Sequence, residues 1–248
     1  MANRWVDKMK KLFCIKWKYL FYGSYVYVDK TSSFTCEKDV KIVFSKIHLQ
    51  KGSTMSIGKG VSIHKVLFAL SGSHVKIGEK SVFSNGEMPI KQQVIVSNGN
   101  MVFGTHNRIR AQRFWVRFGG IVNFGNYINL NEYSEVRCDE KVSLGDFVEI
   151  SYYVKIWDTN THEIEPLEQR RARWRGQYLK RDVSEKPKTT PVTIGSDTWI
   201  GERSSILKGT TIGQGCIVGY DTTLVKEDIP DGTMVVRKVE LKKIQYNK

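Results

Sequence analysis

The sequence predicts an all-β protein whose chain winds as a parallel β-helix, with one short strand on each of three sides. Between Val192 and Asp228 an aliphatic residue stands at every sixth position. The series is Ile194, Ile200, Ile206, Ile212, Val218 and Leu224. A six-residue period fits neither an α-helix, at about 3.6 residues per turn, nor simple strand alternation. It does fit three strands per coil of about eighteen residues.

A second series accompanies the aliphatic one and predicts the corners of the coil. A small residue lies four positions after each of the first five aliphatic residues: Thr198, Ser204, Thr210, Cys216 and Thr222. Glycine directly follows four of the six aliphatic residues. We expect the aliphatic side chains to point inward and the small residues to lie near corners, where glycine lets the backbone turn.

The middle of the chain repeats less regularly, with phenylalanine at expected inward positions and a glycine after most of them. These positions are Phe83, Phe103, Phe118 and Phe124. Large inward rings predict wider turns with small corner loops. Leu144, Ile150 and Ile156 restore the strict spacing. The predicted solenoid covers residues 36–236.

The N-terminal segment, Arg4 to Phe21, has the pattern of an amphipathic helix with aromatic and aliphatic side chains on one face and basic residues mainly on the other. One interpretation is a cap over the open end of the solenoid. The other is a helix lying on an anionic membrane surface. We therefore assign residues 1–35 to an N-terminal helix and cap, and residues 237–248 to a C-terminal tail or short helix.

The composition limits the cellular setting and the kind of partner. The net charge of +14, from 39 basic and 25 acidic residues, predicts anionic partners. No run of eighteen apolar residues occurs, and the N-terminus lacks the apolar stretch and cleavage pattern of a signal peptide. The four cysteines are scattered without a C-x-x-C pair, which favours a reducing, cytoplasmic location.

One long interruption of the repeat, residues 157–190, is the expected place for chemistry, because long excursions from a compact repeat are usually functional. From Arg170 to Arg181 it carries six basic residues and no acidic one, with Trp174 and Tyr178 between them. Such a segment fits either an anion-binding loop or a solvated basic loop.

His162 lies at the base of this interruption and is the candidate general base. It is the only one of the five histidines there, and it follows a run of small polar residues. An imidazole titrates near neutrality, so it can accept a proton from an alcohol. Asp158, four residues earlier, is expected from its proximity to orient the ring. A surface histidine without a role remains the alternative.

Residues 125–236 resemble the left-handed β-helix acyltransferases, in particular the branch with galactoside, maltose and surface-polysaccharide O-acetyltransferases. The resemblance rests on Thr161-His162, the loop after it, and the run PVTIGSDTWIG from Pro191 to Gly201. It implies a left-handed coil, acetyl-CoA as co-substrate, a saccharide acceptor and a homotrimer with sites between subunits. The chain departs from the family after Val236, where a G-N-P-A segment that contacts coenzyme A is absent.

The same resemblance implies roles for individual residues. His162 would deprotonate the acceptor hydroxyl, and the backbone N–H of Glu202 would stabilise the oxyanion. Acceptor contacts are implied at Asn131, Asp139 and Trp199. Cofactor contacts are implied at Trp199, Gly201, Tyr220 and Lys226. No metal ligand is implied.

Three alternatives to O-acetylation of a saccharide remain at this point. An N-acetyltransferase acting on an amino-sugar nucleotide would use the same base. A metal hydratase of this fold needs paired histidines, and no two histidines here lie five residues apart. A non-catalytic basic solenoid, binding membrane or nucleic acid, would not need the long loop. We expect no nucleic-acid partner, and we expect a cytoplasmic enzyme with possible peripheral contact at the inner membrane face.

Overall fold

The computed structural model describes residues 20–177 and 185–240, which form a parallel β-helix with one helical insertion. Within these residues, short strands build three parallel sheets of ten, nine and nine strands. Each sheet forms one side of a prism, and the chain passes from sheet I to II to III in every coil. This confirms the predicted fold class.

The strands are short and fall into the three sheets in strict rotation. Sheet I contains β1 (Leu20–Tyr22), β4 (Lys41–Val43), β7 (Ser62–His64), β10 (Val82–Ser84), β13 (Arg108–Ile109), β16 (Asn129–Leu130), β19 (Glu149–Ile150), β22 (Trp199–Ile200), β25 (Ile217–Val218) and β28 (Met234–Val235). Sheet II contains β2 (Tyr25–Val28), β5 (Lys46–Gln50), β8 (Val66–Ser71), β11 (Gln92–Ser97), β14 (Arg113–Val116), β17 (Glu135–Cys138), β20 (Lys155–Trp157), β23 (Ser205–Leu207) and β26 (Thr223–Val225). Sheet III contains β3 (Ser33–Cys36), β6 (Thr54–Ile57), β9 (His74–Ile77), β12 (Asn100–Phe103), β15 (Ile121–Phe124), β18 (Lys141–Leu144), β21 (Val192–Ile194), β24 (Thr211–Ile212) and β27 (Asp228–Ile229).

The six-residue aliphatic series forms the core of the last coils, as predicted. All six members are buried, with at most 5% of each side chain exposed. Ile200 pairs with Val218 in sheet I, and Ile206 with Leu224 in sheet II, so each aliphatic residue stacks on its equivalent eighteen residues later. Burying a side chain of this size contributes about 1.5–3 kcal/mol, so the stacked series contributes substantially to the stability of these coils.

The small residues lie at the corners, and two of their hydroxyls join successive coils. The Thr198 hydroxyl donates to the Gly213 carbonyl at 3.1 Å, and the Ser204 hydroxyl donates to the Gly219 carbonyl at 2.8 Å. Because the corner backbone is buried, these bonds satisfy groups that would otherwise lack partners. These bonds account for a hydroxyl at Thr198 and Ser204, whereas the buried Thr210 hydroxyl has no partner among the described residues, so that position is explained by small size alone.

Aromatic residues fill the wider middle coils. Phe83 and Phe103 meet edge to face at a centroid distance of 4.9 Å, and Phe124 lies 5.2 Å from Phe103. The prediction for Phe118 was wrong, because it is a corner residue with a φ of 51° and is only partly buried. Phe114 takes the inward position in that coil instead. The longer corners here shift the register that strict six-residue spacing would give.

The solenoid begins earlier than residue 36. Leu20–Tyr22 is a strand paired in parallel with Lys41–Val43, so the helix predicted to reach Phe21 was wrong at residues 20 and 21, and residues 20–35 belong to the solenoid rather than to a cap. The rest of the predicted helix, residues 4–19, lies outside the described residues. So does most of the predicted C-terminal segment, since only residues 237–240 are described and they have no regular structure.

The long interruption leaves the solenoid between sheets II and III. It follows β20, carries one helix, α1 (Leu167–Gln177), and returns at β21. Residues 178–184 lie outside the described part of the chain. No helix among the described residues is long and apolar enough to cross a membrane. Nor do the described histidine, cysteine, aspartate and glutamate side chains form any group that could hold a metal ion.

Candidate active site

The base of the long loop is closed by backbone pairing between its two ends. Thr159 and Thr189 form an antiparallel bridge. The Asn160 N–H donates to the Lys188 carbonyl at 3.1 Å, and the Thr190 N–H donates to the Asp158 carbonyl at 2.9 Å. The residues just before His162 are therefore tied to the solenoid. We call residues 158–161 with 188–190 the neck of the loop.

Asp158 does not orient His162, and this prediction was wrong. Its side chain is completely buried, and its carboxylate accepts the backbone N–H groups of Asp139, Glu140 and Lys141 at 2.7–2.8 Å. Burial raises the pKa of Asp158, with the three N–H bonds opposing the shift. Its role is to cap the turn of the preceding coil, since that turn's backbone donors would otherwise be unpaired.

Asp139 is also unavailable to an acceptor in this chain, contrary to the expectation. Its side chain is completely buried and forms a two-pronged ion pair with Arg117, at 2.9 Å from Nε and 2.7 Å from Nη2. The Thr159 hydroxyl donates to the same carboxylate at 2.7 Å. The aspartate is therefore an internal anchor that ties the neck of the loop to the coil below.

His162 itself is exposed at the mouth of the neck. No hydrogen bond of its imidazole is found among the described residues, so the ring is available to a ligand. Thr161, directly before it, is buried and has a φ of 69°, a left-handed conformation that a β-branched residue rarely adopts. The anchored backbone and the free side chain together are what a general base at the edge of a site requires.

A second group of predicted residues lies at the corner between sheets I and II. Glu202 follows β22 there, and no hydrogen bond from its backbone N–H is found among the described residues, so this donor is available to a ligand. Tyr220 lies at the equivalent corner one coil later, 58% exposed, with the Arg203 guanidinium 5.8 Å from its ring. Asn131 lies at the same corner two coils before Glu202, buried, with its amide oxygen accepting from Arg110.

The remaining predicted residues divide between structural and accessible positions. A side chain on Gly201 would meet the backbone of Gly219 at 2.8 Å, so this glycine is required by the stacking of two coils. Trp199 projects from the outer face of sheet I and is half exposed. Lys226 is exposed at the corner between sheets II and III, where its backbone N–H donates to the Lys208 carbonyl at 3.2 Å.

The predicted residues thus fall into two separate groups in one chain, which we call half-sites. His162 and Lys226 lie at the corner between sheets II and III, and Glu202 and Tyr220 lie at the corner between sheets I and II. The three residues of β23 separate the two corners, a distance of about 10 Å at the usual strand rise. This separation is longer than a hydrogen bond, so the strand keeps the two groups apart within one chain.

The basic segment of the loop is displayed on α1. Arg170, Arg171 and Arg175 are exposed on this helix, and Arg171 pairs with Glu168 at 2.8 Å. Trp174 is also largely exposed. Lys180 and Arg181, the last members of the run, lie outside the described residues. The described guanidinium groups are accessible to an anionic ligand, as either sequence interpretation would allow.

Sequence reasoning missed the side chains that hold the neck of the loop. Arg117 contacts the Thr161 carbonyl at 3.4 Å, and Arg137 donates to the Thr161 hydroxyl at 3.1 Å. Trp115, Arg137 and Trp157 are neighbours in one column of sheet II. The sequence signal that could have revealed them is the alternation of tryptophan and arginine at a spacing of one coil. This alternation can be recognised only after the longer coils have been placed in register.

Cys138 lies beside the buried carboxylate of Asp158 and is fully buried. Burial, with the charge of Asp158, raises the pKa of the Cys138 thiol far above its usual range. The thiol is therefore protonated at neutral pH. We exclude Cys138 as a nucleophile.

Comparisons with known proteins agree with this architecture. Residues 191–226 match the family model described as bacterial transferase hexapeptide (six repeats). A probable acetyltransferase of Mycobacterium tuberculosis is 32% identical over 133 residues, which is 54% of this chain and 38% of that protein. A protein of Escherichia coli K12 that carries the name of a lipopolysaccharide biosynthesis O-acetyl transferase is 27% identical over 125 residues, 47% of this chain and 56% of that protein.

The chain thus spans less than two thirds of the length of these two relatives. Among solved structures, a polySia-specific acetyltransferase matches with a TM-score of 0.48 at 16% identity, covering 89% of this chain and 82% of that one. Similarity at this level carries no argument about activity. The repeat, the parallel coil and the acetyltransferase relatives together show that this chain is a hexapeptide-repeat β-helix that resembles the hexapeptide-repeat acyltransferases.

Proposed function

We propose that the protein is an acetyl-CoA-dependent O-acetyltransferase that acetylates a hydroxyl of a surface polysaccharide, its precursor or another saccharide. The observation that carries the proposal is the exposed imidazole of His162 at the mouth of an anchored neck. Its sequence relatives are named acetyltransferases, which supports the reaction class. The fold alone would not, since one fold hosts many activities.

In the proposed reaction His162 takes the proton of the acceptor hydroxyl as its oxygen attacks the thioester carbonyl carbon. The free N–H of Glu202 stabilises the negative charge on the carbonyl oxygen, a contribution of about 2.7–4 kcal/mol for one such donor. The carbon–sulfur bond then breaks, and the imidazolium returns its proton to the departing thiolate. The nucleophile belongs to the acceptor, so no covalent enzyme intermediate forms, in keeping with a Cys138 thiol that stays protonated.

The separation of the two half-sites supports a homotrimer in which each active site is shared between two copies. The corners that carry His162 and Glu202 border the two edges of sheet II. If sheet II faces a threefold axis, the His162 corner of one copy meets the Glu202 corner of the next. One chain alone then has an incomplete site, which explains the distance between its half-sites.

The outer face of sheet II carries one mostly apolar column beside a second column that includes Arg113, Glu135 and Lys155. From Ala69 onward the apolar column consists of Ala69, Ile95, Trp115, Arg137, Trp157, Leu207 and Val225. Its only charged member, Arg137, is packed between two tryptophan rings. The matching column of sheet III is mostly polar, with Lys76, Asn123, Ser143, Thr193 and Thr211. Apolar surface of this kind is normally covered in an assembly.

Light scattering tests the assembly, with a mass of three times 28.5 kDa expected. Val225→Arg places a charge in the apolar column and should give folded monomers without activity. Thr211→Arg makes the same change on sheet III and should leave both mass and activity unchanged. An active wild-type monomer would contradict the trimer.

The cofactor and membrane contacts are part of the same proposal. Trp199, Tyr220 and Lys226 are exposed at or beside the two half-sites and can contact the pantetheine arm or phosphates of acetyl-CoA. Peripheral contact of a cytoplasmic enzyme with the inner membrane face rests on the basic, amphipathic pattern of residues 4–21. Co-sedimentation with anionic vesicles at low salt tests it, and loss of binding on deleting residues 1–19 is expected. Equal binding by the shortened protein would contradict it.

The function is tested by transfer of labelled acetyl groups from acetyl-CoA to a panel of glycans and amino-sugar nucleotides. Mass spectrometry of the products should show an ester that mild alkali removes. An alkali-stable amide on an amino sugar would replace the O-acetyl assignment with N-acetylation. Lack of transfer to every saccharide, with intact acetyl-CoA binding, would contradict a saccharide acceptor.

A further inference from the structure

We propose that Arg117, Arg137 and Asp139 are positioning residues that lock Thr161 in its left-handed conformation and thereby fix the place of the next residue, His162. The inference rests on the proposed function, because it treats His162 as the base. It gives the buried aspartate a role different from the acceptor contact that the family resemblance implied.

The first step is the unusual backbone of Thr161. Its φ is 69°, and it is the only β-branched residue among the seventeen non-glycine residues with positive φ in the described part of the chain. A β-branched side chain is disfavoured in this conformation, so the surrounding structure must impose it.

The second step is that every polar group of Thr161 is held. Its N–H donates to the Thr159 hydroxyl at 3.0 Å, and its carbonyl accepts from Nη2 of Arg117 at 3.4 Å. Its hydroxyl accepts from Nη1 of Arg137 at 3.1 Å. The residue is 94% buried, leaving 6% exposed, so water does not compete effectively for these groups.

The third step is that two of these partners share one carboxylate. Arg117 is fixed by its two-pronged bond to Asp139, and the Thr159 hydroxyl donates to the same carboxylate. The paired groups are buried, and a planar guanidinium fork matches a carboxylate with little freedom. Asp139 therefore organises both the N–H and the carbonyl contact of Thr161.

The third partner, Arg137, is fixed independently. Its guanidinium group donates two hydrogen bonds, of 3.0 and 3.2 Å, to the Glu135 carboxylate. It also lies between the rings of Trp115 and Trp157, at 5.4 and 4.1 Å from their centroids. These residues belong to sheet II. The sheet therefore holds Arg137 in place, and Arg137 in turn restricts the position of the Thr161 hydroxyl.

The consequence is a general base held by rigid strands although it lies on a loop. Fixing the Thr161 carbonyl also fixes the plane of the peptide bond between Thr161 and His162. A misplacement of about 1 Å at a reacting group can lower the rate by about 100-fold. We therefore expect changes in the network to affect kcat more than the binding of acetyl-CoA.

Substitutions at Thr161 separate positioning from stability. Thr161→Ser keeps the hydroxyl and should retain wild-type kcat within about threefold, while Thr161→Gly loses it and frees the backbone. Glycine removes the conformational strain, so its melting temperature should stay within a few degrees of wild type. Its kcat should fall by about 10- to 100-fold with an unchanged KM for acetyl-CoA. Lys80→Gly, at an exposed corner with a φ of 54°, is the matched control and should keep full activity.

Two results of this series would overturn the proposal. One is a Thr161→Gly enzyme with wild-type kcat. The other is activity that follows the melting temperature across the series, because that shows loss of folded enzyme rather than misplacement. Arg137→Lys supplies a second variant, because a lysine ammonium group cannot form the two hydrogen bonds to Glu135 and the one to Thr161 at the same time. It should lower kcat without raising KM, and full activity would contradict the network.

Hydrogen exchange followed by mass spectrometry tests the network without any activity. In the wild type the hydrogen-bonded amides of Asp158, Asn160 and Thr161 should exchange slowly, and in Thr161→Gly about tenfold faster or more. The Lys80→Gly control should leave them unchanged. If the wild type transfers no acetyl group but this difference appears, the proposed function fails while the anchored neck stands. Equal exchange in wild type and Thr161→Gly would contradict the anchoring itself.

Discussion

Replacing Asp139 by alanine should strongly destabilise the protein, because it leaves a buried charge without a partner. Asp139 is completely buried and Arg117 is 7% exposed, and the carboxylate accepts three hydrogen bonds of 2.7–2.9 Å. Removing one member of such a pair costs about 3–5 kcal/mol. That is a large part of the roughly 5–15 kcal/mol that stabilises an ordinary domain.

Urea unfolding followed by circular dichroism measures this loss against two references. Glu168→Ala breaks the exposed pair with Arg171 and should change the unfolding free energy by less than about 0.5 kcal/mol. The double variant Arg117→Met/Asp139→Leu removes both charges and should recover most of the loss. A wild-type urea midpoint for Asp139→Ala, together with a higher KM for the saccharide, would refute the buried anchor and restore the acceptor contact.

Three further predictions follow from the coil and its buried groups. Gly201→Ala should lower the unfolding free energy by about 1–3 kcal/mol, because the new Cβ meets the Gly219 backbone at 2.8 Å. Gly176→Ala is the control, since there is open space around that position and the unfolding free energy should not fall. Equal melting temperatures for the two variants would contradict the close stacking of the coils. Burial raises the pKa of Asp158 above 3.8, so its protonation stabilises the fold below that pH and the contribution is lost as pH rises through the folded-state value. The unfolding free energy of the wild type should therefore fall relative to that of Asp158→Asn as pH rises from 3.8 towards neutrality. A difference between the two free energies that does not change with pH would contradict the raised pKa of Asp158. Iodoacetamide should leave Cys138 unmodified at neutral pH until urea unfolds the chain, and rapid labelling of Cys138 in the folded protein would refute its burial.

The coils with strict spacing were predictable because one physical rule governs them. Each of Ile200, Ile206 and Ile212 must point inward and stack on its equivalent, so the period is written directly in the sequence. The coil around Phe118 could not be predicted in the same way, because its longer corners add residues between the strands and break the six-residue period. The strand at Leu20–Tyr22 was missed because its residues also fit a helical face.

The site was predictable in its exposed parts and not in its buried ones. His162 and Trp199 stand out by residue type and position, and both are accessible as expected. Asp139 and Asp158 were assigned ligand or orienting roles because a carboxylate in a sequence gives no sign of burial. Their hydrogen-bond partners, such as Arg117, lie 17 to 22 residues away in the sequence, so only the three-dimensional register reveals them.

The central claim is that His162 is the general base of an acetyl transfer, and His162→Ala tests it most directly. We expect kcat to fall by about 10²–10⁴-fold, because that is the usual contribution of a general base. Acetyl-CoA binding and the melting temperature should stay unchanged, since the ring is exposed and makes no hydrogen bond among the described residues. His74→Ala, an exposed histidine on sheet III, is the matched control and should keep full activity. Near-normal turnover by the His162→Ala enzyme would contradict the account.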